Sequence, residues 1–298
     1  MKPDLPPRLA ALAAVIFWGI SFVATKAALR EISPPTLIFT RFALGVALLV
    51  IIVRLRGGQS LPPRSSWPVL IVMGFFGIFV HQMLQAFGLT LTTAVHTGWL
   101  IGLTPIWSAL LSVMMKKERF TGWKLAGLLG GFAGGLLVIS RGRFDREIFQ
   151  LPATRGDFLI LLSTINWAVY SVLGHTTIKG LGSARATAGS MLFGWLMLAP
   201  LFLWLRGWNE LPQLSIGGCG AVLFLGIGCS GLGYLFWYGA LERIEVSRVA
   251  AFLYIEPLVT LLAAVVLLNE PVSATTILGG LLVLLSVFVM QRAPSSQS

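Results

Sequence analysis

The sequence predicts an all-α integral membrane protein whose ten transmembrane helices form two inverted five-helix repeats. Composition is the first of three observations behind this: of 298 residues, 56% are hydrophobic and only 11% charged, with a mean hydropathy of +0.85, against roughly 25% charged in soluble domains. The second is length, because apolar stretches of about 20 residues, enough to cross a bilayer, recur along the chain between short turns. The third is repetition. Thr104-Pro105 is followed thirteen residues later by Glu118, and Glu256-Pro257 thirteen residues later by Glu270, in apolar stretches 152 positions apart.

The first half is expected over 8–140. Span 1 (8–29) imitates a secretory signal, with Lys2 and Arg8 before it and Ala24, Ala27 and Ala28 near its end, but nine further spans exclude that reading. Trp18, Ser21 and Thr25 fall on one of its faces. Span 2 (35–54) holds Arg41, which either snorkels to the interface or closes an external gate by pairing with an acid. Span 3 (68–91) carries Gly74, Gly77, His81, Gln85 and Gly88 at steps of three and four. That stripe is either a cavity wall, with His81 and Gln85 as hydrogen-bonding groups, or a helix-packing face. Span 4 (95–115) offers Trp99 and Pro105, and span 5 (123–140) interleaves Gly127, Gly131 and Gly135 with Gly130 and Gly134. Bare backbone there permits close helix approach, so span 5 is scaffold.

The second half is expected over 157–291. Span 6 (157–178) repeats the aromatic face of span 1 with Trp167, Tyr170, Ser171 and Gly174. After span 7 (185–205), span 8 (215–240) supplies Tyr234, Trp237 and Tyr238. Its Gly226 to Gly231 run matches a dinucleotide fingerprint only formally, since the strand, turn and helix that motif needs are missing. Span 9 (247–268) carries Tyr254, Glu256 and Pro257, and span 10 (275–291) closes the set. At an offset near 150 the halves align Trp18 with Trp167, Gly74 with Gly226, Pro105 with Pro257 and Gly127 with Gly279. Five spans per half make the repeats inverted about an axis in the membrane plane, with the binding site at their interface.

Pro105 and Pro257 withdraw the donor owed to the carbonyls of Ile101 and Leu253, making paired hinges or fixed kinks. Glu256 is the costliest residue, an acid in mid-span where insertion scales charge roughly 2.5 to 3.5 kcal/mol. Three roles are open to it: binding a substrate ammonium, carrying a coupling proton, or bonding across a helix interface. Its counterpart is Thr104, so the acid is not part of the repeated plan. Glu118 and Glu270 read as turn or helix-start residues, and Lys26 and His175 as interfacial ones.

An even number of spans puts both termini on one side, and that side holds 14 of the 22 Lys and Arg, so the positive-inside rule makes the termini cytoplasmic in the inner membrane. The loop with Arg141, Arg143, Arg146 and Arg155 opposes this, leaving a nine-span alternative. A net charge of +11 in short juxtamembrane loops points to the anionic surface of the lipid bilayer, not to nucleic acid. Cys219 and Cys229 share a helix about 15 Å apart and cannot pair. Zinc-ligand spacings, Walker loops and hydrolase motifs are absent, which argues against a metal site, a cofactor or an enzyme, and the charge rings of a channel are missing too.

Trp18-Gly19 with Phe22, Val23 and Lys26, Arg41-Phe42, and the two proline-to-glutamate pairs resemble the drug/metabolite transporter superfamily with its two EamA-type repeats, over about residues 10–290. Within it, the aromatic content and glycine-rich helices are most similar to YddG-type exporters of aromatic and other apolar amino acids. The resemblance implies a secondary transporter working by alternating access on a small-molecule substrate, with lipophilic cations as the alternative cargo. The substrate-binding residues expected are Trp18, His81, Gln85, Trp99, Trp167, Tyr170, Tyr234, Tyr238, Tyr254 and Glu256, with Pro105 and Pro257 as hinges.

Overall fold

The computed structural model describes residues 5–55, 62–114, 121–142, 152–181, 183–241, 243, 249 and 251–291, and every regular element among them is helical. Glu118 and the linker residues Arg143, Asp145, Arg146 and Glu147 lie outside the described residues, as do the side chains of Ser171 and His175. Six described helices are long and apolar enough to cross a membrane: α1 (Pro7–Ala28), α2 (Pro34–Leu55), α3 (Arg64–Leu91), α6 (Gly122–Ser140), most of α8 (Ser183–Trp204) and α9 (Ile216–Ala240). Shorter or less apolar helices complete the set: α4 (Ala94–Ile101), α5 (Thr104–Met114), α7 (Pro152–Leu181), α10 (Glu256–Leu268) and α11 (Ala274–Gln291). Each lies on an expected span, span 4 being divided between α4 and α5.

Local chemistry sets the ends. Thr93, Thr121 and Ser215 cap α4, α6 and α9, each side-chain oxygen accepting from the backbone N–H three residues on. α6 and α10 stop where Arg141 and Asn269 turn left-handed, at φ 52° and 51°. Pro257 stands in the first turn of α10, after a 3₁₀ turn over Ala251–Ile255. Its missing N–H is one that the start of a helix leaves unpaired anyway. Pro105 occupies the same place in α5, behind a break at Gly102 and Leu103. The two prolines therefore begin half-helices, and do not bend continuous ones.

α3 and α9 change pitch midway. Residues Phe75–Val80 and Phe224–Gly233 are π-helical, so the faces presented by His81 and Tyr234, which follow them, are rotated from α-helical register.

The glycines of α6 close against α11. A Cβ on Gly134 would lie 2.7 Å from the Gly279 carbonyl oxygen, and one on Gly127 2.7 Å from that of Ser286. Such backbone contact is the scaffold expected of span 5, and it joins the first half of the chain to the second. On the outer surface α6, α10 and α11 expose Leu129, Leu136, Leu262, Val266 and Leu278. An unbroken apolar exterior of this kind suits hydrocarbon, where leucine is as well solvated as in a core.

One end of the bundle is laced by carboxylates that bind helix starts. Glu31 accepts from the Ser215 N–H and hydroxyl at 2.7 Å each, and Glu210 accepts from the Ser33 N–H at 2.6 Å and hydroxyl at 2.9 Å. Glu270 takes the Ala94 and Val95 N–H groups at the start of α4, both at 3.0 Å, and stands 3.9 Å from Lys26 Nζ. Lys26 donates to the Leu89 and Thr92 carbonyls. Fully buried Asp157 accepts from Thr92, lies 3.1 Å from His96 Nδ1 and 3.6 Å from Arg141 Nη2. The positive end of a helix dipole favours such carboxylates.

Candidate functional site

The breaks that begin α5 and α10 converge on a central cavity of about 110 Å³. Its walls come from α1 (Trp18, Ser21, Phe22), α2 (Arg41), α3 (His81, Gln82, Gln85), the α4–α5 break, α7 (Trp167), α9 (Tyr234) and the start of α10 (Leu253, Tyr254, Glu256). That volume is suited to a small molecule and is below the roughly 300 to 1,000 Å³ of drug-sized pockets.

Aromatic rings make up two of the walls. Trp18 donates its indole N–H to the Cys229 carbonyl at 3.3 Å, and its ring meets Tyr234 edge-on with centroids 5.5 Å apart. Across the cavity Trp167 lies against His81, ring centroids 4.8 Å apart. The aromatic faces of α1 and α7 thus both contribute to the lining. Such rings bury an apolar side chain and also favour a cation.

The polar wall is more specific. His81 Nδ1 lies 3.0 Å from the Ser163 carbonyl oxygen, so the ring both ties α3 to α7 and borders the cavity. The glycines of the α3 stripe pack against other helices, and its polar residues border the cavity. Gly74 packs on the α8 backbone, Gly77 on Tyr170 and Gly88 on Ile160 and Gly156 of α7, while His81 and Gln85 line the cavity. Thr104 donates its hydroxyl to the Ile101 carbonyl at 2.7 Å, replacing the donor that Pro105 lacks. A carboxylate at the equivalent position, Glu256, cannot donate. Glu256 is 7% exposed, and among the described residues its carboxylate meets no hydrogen-bond donor or counter-ion. Tyr254 also lines the cavity, and its hydroxyl has no partner.

Three residues expected in the site stand elsewhere. Trp99 is fully buried between α4 and α11, flat on Gly280, where a Cβ would meet its ring at 2.1 Å. Tyr170 and Tyr238 are buried behind the wall, in contact with Trp167 and Tyr234 respectively. Glycine partners, Gly280 for Trp99 and Gly77 for Tyr170, explain two of these burials, and neither is visible in one helix taken alone. Ser21, on the span 1 face with Trp18, lines the cavity, and Phe22, Gln82 and Thr104 do so without having been expected there. Gln82 stands three residues before Gln85 in the same α-helical stretch, so it falls on the edge of the His81–Gln85 face. Arg41 does not snorkel: it is 6% exposed and turns inward to Ser230 and Gln82.

These features define a many-helix membrane protein with a small amphipathic chamber between its two halves. The chain belongs to the EamA-like transporter family, whose model matches it twice, over residues 6–140 and 154–292. It is therefore a transporter and not an enzyme. It is 32% identical to an uncharacterized transporter of Archaeoglobus fulgidus, over 93% of this chain and 96% of that one. To the transporter YyaM of Bacillus subtilis it is 30% identical, over 91% and 89%. A protein of Streptantibioticus cattleyicolor named a probable terminal-alkyne amino-acid exporter is 24% identical, over 93% and 91%. A crystal structure with 23% identity superposes with a TM-score of 0.67, over 97% of this chain and 99% of the other, and shows a shared fold.

Proposed function

We propose that the protein exports aromatic and other hydrophobic amino acids across the cytoplasmic membrane by alternating access. Ten crossings, α4 and α5 counting as one, form two inverted repeats with both termini in the cytoplasm. The observation carrying this reading is the cavity, where the rings of Trp18, Trp167, Tyr234 and Tyr254 face the polar groups of His81, Gln85 and Glu256. An aromatic side chain stacks on the first set and a polar head bonds the second. The relative named as an amino-acid exporter lends support. The half-helix starts at Pro105 and Pro257 beside the cavity support hinges at these positions, as alternating access requires.

A second reading, export of lipophilic cations, draws on the unpaired Glu256 among aromatic rings. Proteoliposomes loaded with labelled phenylalanine, tryptophan or a quaternary ammonium ion separate the two. Saturable flux of the amino acids is expected, and flux of the cation alone would overturn the first reading in favour of the second. Comparing fluxes with and without a pH gradient in Glu256→Gln tests proton coupling: a gradient effect present in wild type and lost in the variant assigns the proton to Glu256.

A further inference from the structure

A buried arginine and a buried glutamic acid line the cavity, and among the described residues neither stands in an ion pair. Arg41 lies about two turns into α2, buried, with Nε donating to Ser230 Oγ at 3.1 Å and Nη1 to Gln82 Oε1 at 3.4 Å. Those bonds use two of the five N–H donors of a guanidinium. Among the described residues no carboxylate stands within ion-pair distance of Arg41. Glu256 is equally buried, lines the same cavity and also has no counter-ion. A buried charge without a partner is strongly unfavourable. Here each borders the space a ligand would fill, and Ser230 and Gln82 hold the guanidinium in one orientation.

We propose that Arg41 binds the substrate carboxylate while Glu256 binds its ammonium, so that the cavity selects zwitterionic α-amino acids over the corresponding amines and acids. A carboxylate matches the planar fork of the guanidinium with parallel N–H···O bonds, which a lysine could not reproduce. A bare amine leaves Arg41 uncompensated, and a bare acid leaves Glu256 so. Discrimination by an unpaired buried polar group exceeds what an apolar pocket achieves by shape. Gln82 acts as a positioning residue through its bond to Arg41.

This assignment rests on the amino-acid reading above, and competition experiments separate the two. Uptake of labelled phenylalanine into proteoliposomes is measured against unlabelled phenylalanine, phenethylamine and 3-phenylpropionate. For the wild-type protein, phenylalanine is expected to compete at least about tenfold better than either analogue. Arg41→Gln should raise the KM for phenylalanine about tenfold or more and abolish the preference over phenethylamine. Arg41→Lys should recover part of the affinity, and each variant's monodispersity and melting temperature report its folding. Wild-type protein on which either analogue competes as well as phenylalanine overturns the pairing, whatever the variants do, and leaves amino-acid export standing. Absence of phenylalanine uptake by folded protein overturns both readings.

Discussion

Trp99 shows how one side chain is assigned by its neighbour. Its ring occupies the space that Gly280 leaves open, and a methyl group there would meet it at 2.1 Å. The cavity lies on another side of α4, so truncation of Trp99 should damage the fold and not recognition. Trp99→Ala is expected to lower stability by about 3 to 5 kcal/mol, the usual cost of emptying a buried aromatic site. The KM of whatever protein survives should stay near that of wild type. A raised KM at unchanged melting temperature would return Trp99 to the binding site. Trp18 and Trp167 are the same residue type, also within apolar spans, yet border the cavity. What separates the three is the residue across the interface, which no single span reveals.

At the scale of elements, the helices were legible and their mutual ties were not. Each is a run of apolar residues with a capping threonine, serine or proline at its start, and those signals are local. The ties join residues far apart in sequence: Glu270 reaches the start of α4, Glu210 the start of α2 and Glu31 the start of α9. Pitch was hidden too, because the π segments of α3 and α9 carry no sequence signature beyond glycine and phenylalanine. Glu31 allows a direct test of one tie. Ser215, through its backbone N–H first and its hydroxyl second, holds the Glu31 carboxyl below the usual carboxylate range. The tie is therefore complete above the unfolded value near 4.3 and is lost as pH falls through the lower folded value. Melting temperatures of wild type and Glu31→Gln should differ at pH 7 and converge near pH 3. A difference that persists in acid would show that the carboxylate is not what holds α9 to the end of α1.

At the scale of the whole molecule, repetition told more than any motif, because the halves share their breaks as well as their sequence. Pro105 and Pro257 both open half-helices beside the cavity, and π segments precede both His81 and Tyr234. The departures from repetition lie at the cavity, where Thr104 satisfies a backbone carbonyl and Glu256 does not. α6 and α11 are in glycine-to-backbone contact with no room to slide, so the proposed alternating access would have to move other helices. α4 and α10, which border the cavity breaks, are the pair to test. These two meet where a Cβ on Gly98 would lie 2.8 Å from the Thr260 Cβ. That is slightly under the 3.5 to 4.5 Å of a disulfide, so a small parting of the helices accommodates the bond. If alternating access separates α4 from α10, oxidised Gly98→Cys/Thr260→Cys protein should lose most of its phenylalanine flux. Reductant should restore it to the level of the unoxidised double variant, and each single variant, whatever its own level of flux, should be indifferent to oxidant. Full flux through a cross-linked protein, with the bond verified by mass spectrometry, would mean that α4 and α10 stay together throughout the cycle and that the chamber opens elsewhere.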